Sequence, residues 1–303
     1  MPARPSAGRV SARRRRRSVG RRFPLLGFVT FVALLAGATA GVIALLDGPA
    51  EEPRILRCAA SLEGTDWYLE PDQADTAALL AGMALARDLP ARALTIAIAT
   101  GLQESRLRNL DHGDRDSLGI FQQRPSQGWG TEEQLMDPVY AAGAFYDALV
   151  RVDGYQGMTV TQAAQAVQRS AFPEAYAEHE ARARAWASAM YGYTGGAVWC
   201  TLAAPDGPGD PEHLVARVQR DFPEVAATVT DEGVLLDVAP LAGASPDSER
   251  LGWAVAHWAV LVADALRVDE VAHAGSVWDR ESGIWAGRET DYPAGTVLVV
   301  LAG

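Results

Sequence analysis

The sequence contains few cysteines and histidines, the residues that bind zinc and similar metals. Among 303 residues there are two cysteines and five histidines. Neither Cys58 nor Cys200 has a second cysteine or a histidine at the spacing of a zinc site, and the histidines do not pair at helical spacing. The pattern therefore predicts no metal site and no cofactor.

Long apolar runs are also scarce, and this scarcity excludes a transporter. One uncharged run of 24 residues, 23–46, is long enough to cross a bilayer core of roughly 30 Å, but a single span cannot line a pathway. Residues 1–22 contain nine arginines and no acidic residue, which indicates a cytoplasmic N-terminus in a single-pass cell-membrane protein rather than binding to nucleic acid. Residues 38–40, Ala-Thr-Ala, resemble a signal-peptidase site, but the apolar run continues past them and favours an uncleaved anchor.

Acidic residues are absent from residues 1–46, and all 38 of them follow, together with 18 arginines. The part predicted to lie outside the membrane is therefore strongly acidic, and it begins with a short polar stalk at residues 47–57. An oxidising exterior permits a disulfide, and Cys58 and Cys200 lie at the two ends of one predicted domain. We expect them to pair, with Cα atoms about 4.4 to 6.8 Å apart.

The exterior part divides at residues 201–212, where prolines and glycines predict a linker. Before the linker, helical periodicity without clear β alternation predicts a mostly helical domain over residues 58–200. After it, mixed segments predict a smaller α/β module over residues 213–303. The expected fold class is α+β: a mostly α-helical domain and a C-terminal α/β module, after one N-terminal transmembrane helix. The predicted helices are 73–89, 91–105, one that opens at 137–138 and includes 141–149, 161–168, 174–191, 213–221 and 249–266. The predicted strands are 234–238, 271–273, 276–278 and 296–301.

One glutamate closes a helix that is otherwise almost uncharged. Residues 91–105 are nearly all small or apolar, and no charge lies between Arg92 and Glu104, a pattern typical of a buried helix. At 100° per residue Ala97 and Gly101 lie beside Glu104, which predicts open space in front of a carboxyl in apolar surroundings. Such surroundings keep a carboxyl protonated, as a general acid requires. Taken alone, the pattern also fits a solvent-exposed glutamate at a helix end.

Motifs around this glutamate resemble those of a known family. Residues 103–105 read Gln-Glu-Ser, residues 116–125 read Asp-Ser-Leu-Gly-Ile-Phe-Gln-Gln-Arg-Pro, and residues 128–130 read Gly-Trp-Gly. Together they resemble the Glu-Ser and Gly-Leu-Met-Gln signature of the lysozyme-like lytic transglycosylases, which cut the glycan strands of peptidoglycan. The family's later Ala-Tyr-Asn-Ala-Gly element is missing, and its nearest counterpart is residues 166–173, ahead of Tyr176.

The resemblance implies a lysozyme-like fold for residues 58–200 and a role for each matching residue. Glu104 matches the catalytic acid, and Ser105 matches the serine that follows it. The segment that begins at Gly119 and ends at Gln122 matches the floor of the sugar-binding groove. In the family one glutamate acts first as acid and then as base, while the muramyl 6-hydroxyl attacks internally and leaves a 1,6-anhydro end.

The sequence thus predicts cleavage of the β-1,4 link between N-acetylmuramic acid and N-acetylglucosamine, with Glu104 as general acid and base. Gln122 and Gln123 are candidates to hydrogen-bond the sugar and Trp129 to stack on it, although packing explains each of them as well. Asp116 is the best-placed helper carboxylate, and a solvated loop explains it equally well. The expected partners are peptidoglycan strands, the membrane and proteins of the cell-wall machinery. The alternative is a non-catalytic peptidoglycan-binding or scaffold protein that kept the groove and lost turnover.

Overall fold

The computed structural model describes residue 39 and residues 54–169, 173–242, 247–288, 292–293 and 295–303. Its α-helices are α1 (Pro71–Ala86), α2 (Ala91–Ser105), α3 (Glu132–Met136), α4 (Pro138–Leu149), α5 (Val160–Gln168), α6 (Glu180–Met190), α7 (Pro211–Asp221), α8 (Ala239–Ala242), α9 (Ser248–Leu261) and α10 (Ala263–Leu266). Its 3-10 helices are Pro125–Gln127, Tyr155–Gly157 and Pro173–His179. Its strands are β1 (Arg57–Leu62), β2 (Thr65–Leu69), β3 (Val198–Thr201), β4 (Ala226–Thr230), β5 (Gly233–Asp237), β6 (Val268–His273), β7 (Ser276–Asp279), β8 (Trp285–Gly287) and β9 (Thr296–Leu301).

A three-stranded antiparallel sheet of order β2-β1-β3 brings together the two ends of residues 58–200. Strands β1 and β2 form a hairpin whose turn residues, Glu63 and Gly64, both have positive φ, as a two-residue hairpin turn requires. In the pairing of β1 with β3, Cys58 lies directly opposite Cys200. The predicted disulfide between them is confirmed, with Cα atoms 4.0 Å apart, slightly closer than expected.

Helix α2 lies at the centre of the first part of the core. It contacts α1, α4, α5, α6 and the 3-10 helix Pro173–His179. Ile96, Ala97 and Ile98 in its middle are fully buried, so successive residues on every side of the helix face protein. An apolar helix surrounded in this way is a fixed support, and it carries Glu104 near its C-terminal end.

The second sheet is six-stranded, in the order β4-β5-β9-β6-β7-β8, and each neighbouring pair is antiparallel. Helix α9 packs against β6 and β9 of this sheet and also against α1 and α6. The fully buried ring of Trp258 on α9 meets Phe222 edge-on, with ring centroids 5.5 Å apart. Helix α9 therefore belongs to two cores at once: that of the part around α2, over residues 58–200, and that of the part with the six-stranded sheet.

A buried charge network also joins the two halves. The fully buried carboxylate of Asp221 accepts hydrogen bonds from Arg217 at 2.8 Å and Arg220 at 2.7 Å. It also accepts one from Trp258 Nε1 at 2.9 Å, while Arg217 reaches Asp75 on α1 at 2.9 Å. Residues 54–303 form one compact unit. The domain boundaries drawn from the sequence stay predictions.

The predicted fold class is wrong in its architecture. Residues 58–200 contain strands, because β1 and β2 form a hairpin and β3 completes their sheet. The C-terminal part is not α/β, because its sheet is antiparallel throughout and not a parallel sheet with crossover helices. Among the residues described, no helix has both the length and the apolar character needed to cross a membrane. The arginine-rich residues 1–22, the apolar run 23–46 except for residue 39, and most of the predicted stalk lie outside the described residues.

Candidate active site

Glu104 lies near the C-terminal end of α2, where the chain reverses sharply. Arg106 and Leu107 both adopt left-handed backbone conformations, with φ of 58° and 59°. The amide of Leu107 donates to the carbonyl of Gly101 at 2.8 Å, and this bond caps the helix end. Because the C-terminal end of a helix carries partial negative charge, it disfavours an ionised carboxylate at this position.

The carboxyl of Glu104 is held by two side chains, Gln168 at the last position of α5 and Tyr176 beyond that helix. Tyr176 Oη donates a hydrogen bond of 2.6 Å to Glu104 Oε1, and Gln168 also hydrogen-bonds the carboxyl. Burial raises the pKa of Glu104 above its ordinary value, and the hydrogen bonds from Tyr176 and Gln168 oppose that rise. The net effect is a carboxyl that keeps its proton to higher pH than a solvated glutamate.

The open space expected beside Glu104 is not at Gly101. A Cβ at Gly101 would lie 2.7 Å from Leu107 Cδ2 and 3.4 Å from Ile120 Cγ2, so these side chains occupy that volume. Ala97 is fully buried in the core. The glycine is needed because the reversed chain packs directly onto the helix, and the prediction of free volume there was wrong.

Ser105 joins the end of α2 to residues 118–123, which contain the predicted site residues Gly119, Gln122 and Gln123. Its hydroxyl donates to the carbonyl of Ile120 at 2.6 Å and accepts from the amide of Arg108 at 3.1 Å. The side chain is buried, with 5% of its surface exposed. Ser105 therefore fixes the backbone of residues 118–123 beside Glu104, and its hydroxyl faces protein.

The segment 118–123 is itself closed by local contacts. Leu118 and Gln123 exchange backbone hydrogen bonds of 3.0 Å. Gly119 has φ of +75°, and a Cβ there would lie 2.4 Å from the carbonyl oxygen of Leu135, so no larger residue fits. Gln122, also left-handed at φ 47°, donates from Nε2 to the carbonyl of His112 at 3.3 Å. Gly119 and Gln122 thus shape the segment.

Gln123 differs from its neighbours in the segment. Its side chain is 2% exposed, and neither Oε1 nor Nε2 has a hydrogen-bond partner among the residues that the structure describes. A buried primary amide without partners is costly. Of the two glutamines predicted to bind sugar, Gln123 is the one whose hydrogen-bonding groups stay unused.

Gln168 connects Glu104 to the same segment and to a cleft. Its Nε2 donates to the carbonyl of Phe121 at 2.6 Å, in addition to its bond with Glu104. Gln168 and Trp129 both line a cleft of 620 Å³ between the ends of α4 and α5. Glu104 itself is not one of the lining residues, and it meets the cleft through Gln168.

Sequence reasoning missed Gln168 and Tyr176 as site residues. Gln168 lies within residues 166–173, the nearest counterpart of the missing family element, and Tyr176 follows them; both are polar residues in an alanine-rich stretch. Their contact with Glu104 spans 64 to 72 positions of chain, so no local periodicity reveals it. Two polar side chains near that counterpart were the available signal.

Asp116 is occupied by its own loop. Its carboxylate accepts from the amide of Ser126 at 2.8 Å and from Arg124 Nε at 2.6 Å. Hydrogen bonds from Ser126 and Arg124 hold the pKa of Asp116 well below its usual range. This carboxylate is ionised and braces residues 116–126 instead of standing free beside Glu104.

Residues 111–116, Asp-His-Gly-Asp-Arg-Asp, form an acidic loop whose side chains are not arranged as a metal site. Asp111 pairs with His112 at 2.7 Å, and that contact lowers the pKa of Asp111. Within the described ranges, no group of three or more histidine, cysteine, aspartate or glutamate side chains is arranged to hold a metal ion.

Comparisons with protein-family models and with curated proteins found no match to this chain.

Proposed function

We propose that this protein cleaves peptidoglycan glycan strands at the β-1,4 bond between N-acetylmuramic acid and N-acetylglucosamine. One observation carries the proposal: the carboxyl of Glu104 is partly buried, has a raised pKa and is fixed by Tyr176 and Gln168 beside a cleft with an aromatic wall. A protonated carboxyl in a fixed position is what protonation of a glycosidic oxygen requires. The resemblance of residues 103–105 and 116–125 to the lytic transglycosylases supports the same substrate.

The chemistry needs one proton carrier. The protonated Glu104 donates its proton to the bridging oxygen as the bond from that oxygen to the muramyl C1 breaks. The resulting carboxylate then takes the proton of the muramyl 6-hydroxyl, and the oxygen of that hydroxyl bonds to C1. The proton lost in the first step is regained in the second, no water is consumed, and the product carries a 1,6-anhydro end.

The state of Asp116 favours internal attack over hydrolysis. Glycosidases that use water commonly have a second carboxylate about 5 to 9.5 Å across the scissile bond. Asp116 was the candidate for that role, and Arg124 and Ser126 already engage both of its oxygens. A single-glutamate mechanism fits the arrangement around Glu104 better.

The disulfide supports an extracytoplasmic location for residues 54–303, where peptidoglycan lies. Structural disulfides persist in oxidising compartments and are rare in the cytosol. Cys58 and Cys200 form such a bridge at the base of the helical part. We therefore also propose peptidoglycan strands, and proteins of the cell-wall machinery, as partners outside the cytoplasm.

One observation favours the non-catalytic alternative. Glu104 does not line the cleft and both Tyr176 and Gln168 already bond its carboxyl, so a strand could bind at Trp129 without reaching the acid. In that case the protein binds glycan or acts as a scaffold. Both functions use the same cleft, and turnover separates them.

The test is digestion of purified peptidoglycan by the full-length chain, with the released muropeptides measured by mass. Anhydro ends, lighter by one water than reducing ends, are expected from the parent protein and not from Glu104→Gln. Glu224→Gln, which changes an exposed glutamate far along the sequence, is the control and should cleave at the parent rate. Reducing ends would indicate a hydrolase. Binding without any release would establish the non-catalytic alternative.

A further inference from the structure

Two arginines supply the charge of the cleft. Arg151 follows the end of α4, and Arg169 follows the end of α5; both line the cleft and both are exposed. They are the charged side chains among the lining residues. Neither forms an ion pair or a side-chain hydrogen bond with the parts of the chain that the structure describes.

The cleft brings two such arginines together with no acidic residue among those that line it. Many arginines of the chain pair with acids, as Arg87 does with Asp147 at 2.7 Å and Arg288 with Glu270 at 2.6 Å, whereas Arg106 and Arg184, outside the cleft, have no ion pair among the described residues. Residues 47–303 hold 38 acidic residues and 18 arginines, so acids are available over most of the surface. A cleft that is lined by two arginines and by no acidic residue offers a site for an anion that comes from outside the chain.

The chemistry of the cleft indicates which anion. A guanidinium group binds a carboxylate through two parallel hydrogen bonds, and Trp129 adds an apolar face of the kind that sugar rings contact. A volume of 620 Å³ is that of a small-ligand site and accommodates a few sugar units rather than a single ion. A muramyl residue of the proposed substrate carries its carboxylate in one of two places: on the lactyl group where no stem peptide is attached, or on the stem peptide where one is, because the amide link to the peptide removes the lactyl charge.

We propose that Arg151 and Arg169 bind a carboxylate of the glycan strand and so select muramyl strands over neutral glycans. The proposal rests on the proposed function, because it assigns how the same cleft recognises its substrate. Arg151 and Arg169 touch the strand away from the reacting bond, and Gln168 connects their cleft to Glu104. Recognition and proton transfer are therefore carried by separate residues and can be measured separately.

The experiment measures binding by the full-length Glu104→Gln protein to three probes: neutral chitohexaose, amidase-stripped strands with free lactyl carboxylates, and strands that keep their stem peptides. We expect at least one carboxylate-bearing probe to bind about tenfold tighter than chitohexaose at low salt, and this advantage to shrink as salt rises. Adding Arg151→Gln and Arg169→Gln should remove the advantage and leave chitohexaose binding unchanged. Adding Arg54→Gln and Arg184→Gln, two exposed arginines outside the cleft, removes the same charge and should change nothing.

The outcomes separate this proposal from the proposed function. Tighter binding of stripped strands identifies the lactyl group as the carboxylate, and tighter binding of peptide-bearing strands identifies the stem peptide. Equal binding of all three probes, or loss of chitohexaose binding in the Arg151 and Arg169 variant, would overturn the proposal. A parent protein that prefers carboxylate-bearing strands but never cleaves them refutes the proposed cleavage and leaves this inference standing, while cleavage without preference does the reverse.

Discussion

The hydroxyl of Tyr176 donates a hydrogen bond of 2.6 Å to Oε1 of Glu104, across 72 positions of chain. Tyr176 is fully buried and Glu104 is half-buried, so the bond forms away from bulk water, where it acts on the carboxyl more strongly than a surface bond would. It favours the ionised form, whereas burial favours the protonated form. The balance of these two effects sets how much of Glu104 carries a proton at a given pH.

Tyr176→Phe removes the donor and keeps the ring. The pKa of Glu104 should rise further, because the hydrogen bond from Gln168 then opposes the effect of burial without the one from Tyr176. The basic limb of the pH profile of strand cleavage, along which the acid loses its proton, should therefore move to higher pH. Initial rates of muropeptide release across pH measure this. Tyr191→Phe removes another hydroxyl, bonded to the carbonyl of Leu89, and should leave the limb in place. If the basic limb of Tyr176→Phe lies at the same pH as that of the parent, the assignment of Glu104 as the acid is contradicted.

Glu104→Gln should stabilise the fold at neutral pH. Burial raises the folded-state pKa of Glu104 above its ordinary value of 4.5, so the stability linked to its proton is present below that value and is lost as pH rises through the folded-state pKa. Glutamine does not ionise and escapes this loss. The melting temperature of the variant should exceed that of the parent at pH 7, and the difference should vanish below about pH 4. Calorimetry across pH tests this, with Glu224→Gln as the exposed control. Equal melting temperatures at pH 7 would show that Glu104 ionises freely.

Ser105→Ala should loosen the segment beside Glu104. It removes the hydroxyl that bonds the carbonyl of Ile120 and leaves that buried oxygen short of a donor, at a cost of about 1 to 3 kcal/mol. Urea unfolding measures the change in the free energy of unfolding. Thr100→Val is the matched control, because the Thr100 hydroxyl bonds only Ile96 of its own helix. A Ser105 variant as stable as the control would mean that the segment does not depend on this tether.

Removing the disulfide should destabilise residues 54–303 substantially. The bridge joins residues 142 positions apart, and the loss of so large a closed loop is expected to lower the free energy of unfolding by about 2 to 5 kcal/mol. The double variant Cys58→Ala and Cys200→Ala, compared with the parent by denaturant unfolding, gives this value. Reductant should reproduce the loss in the parent and leave the variant unchanged. An unaffected midpoint in the double variant would show that the β1–β3 pairing alone holds the two ends together.

The sequence pattern predicted those helices and strands whose formation depends mainly on their own residues. Helix α2 occupies residues 91–105 as expected, because its apolar residues recur on every face. Strand β9 occupies 296–301 as expected, because its run of valine and leucine is apolar and its valines are β-branched. Strand β1 was missed, since its Cys-Ala-Ala-Ser centre has little strand propensity and its partner β3 lies 140 positions away. The antiparallel order of the second sheet likewise depends on pairings between distant segments.

The candidate site divides in the same way. Glu104 stood out because a single acid ends an uncharged helix, which is a local pattern. The filling of the space at Gly101 by Leu107 was not predictable, because it depends on a left-handed backbone at two non-glycine residues. Ser105 and Gln122, which match the family's motifs, each hydrogen-bond a protein carbonyl, and a motif match gives residue types without their orientation.

The disulfide has a mechanical consequence. Cys58 and Cys200 face each other across β1 and β3, at the points where the chain enters and leaves the helical region. Tension applied between Arg54 and Gly303 therefore travels through the sulfur–sulfur bond and bypasses residues 59–199. Helix α2 and the bond between Tyr176 and Glu104 lie inside the bypassed loop and carry none of that load. Until the bridge is reduced, no tension passes along the backbone of α2.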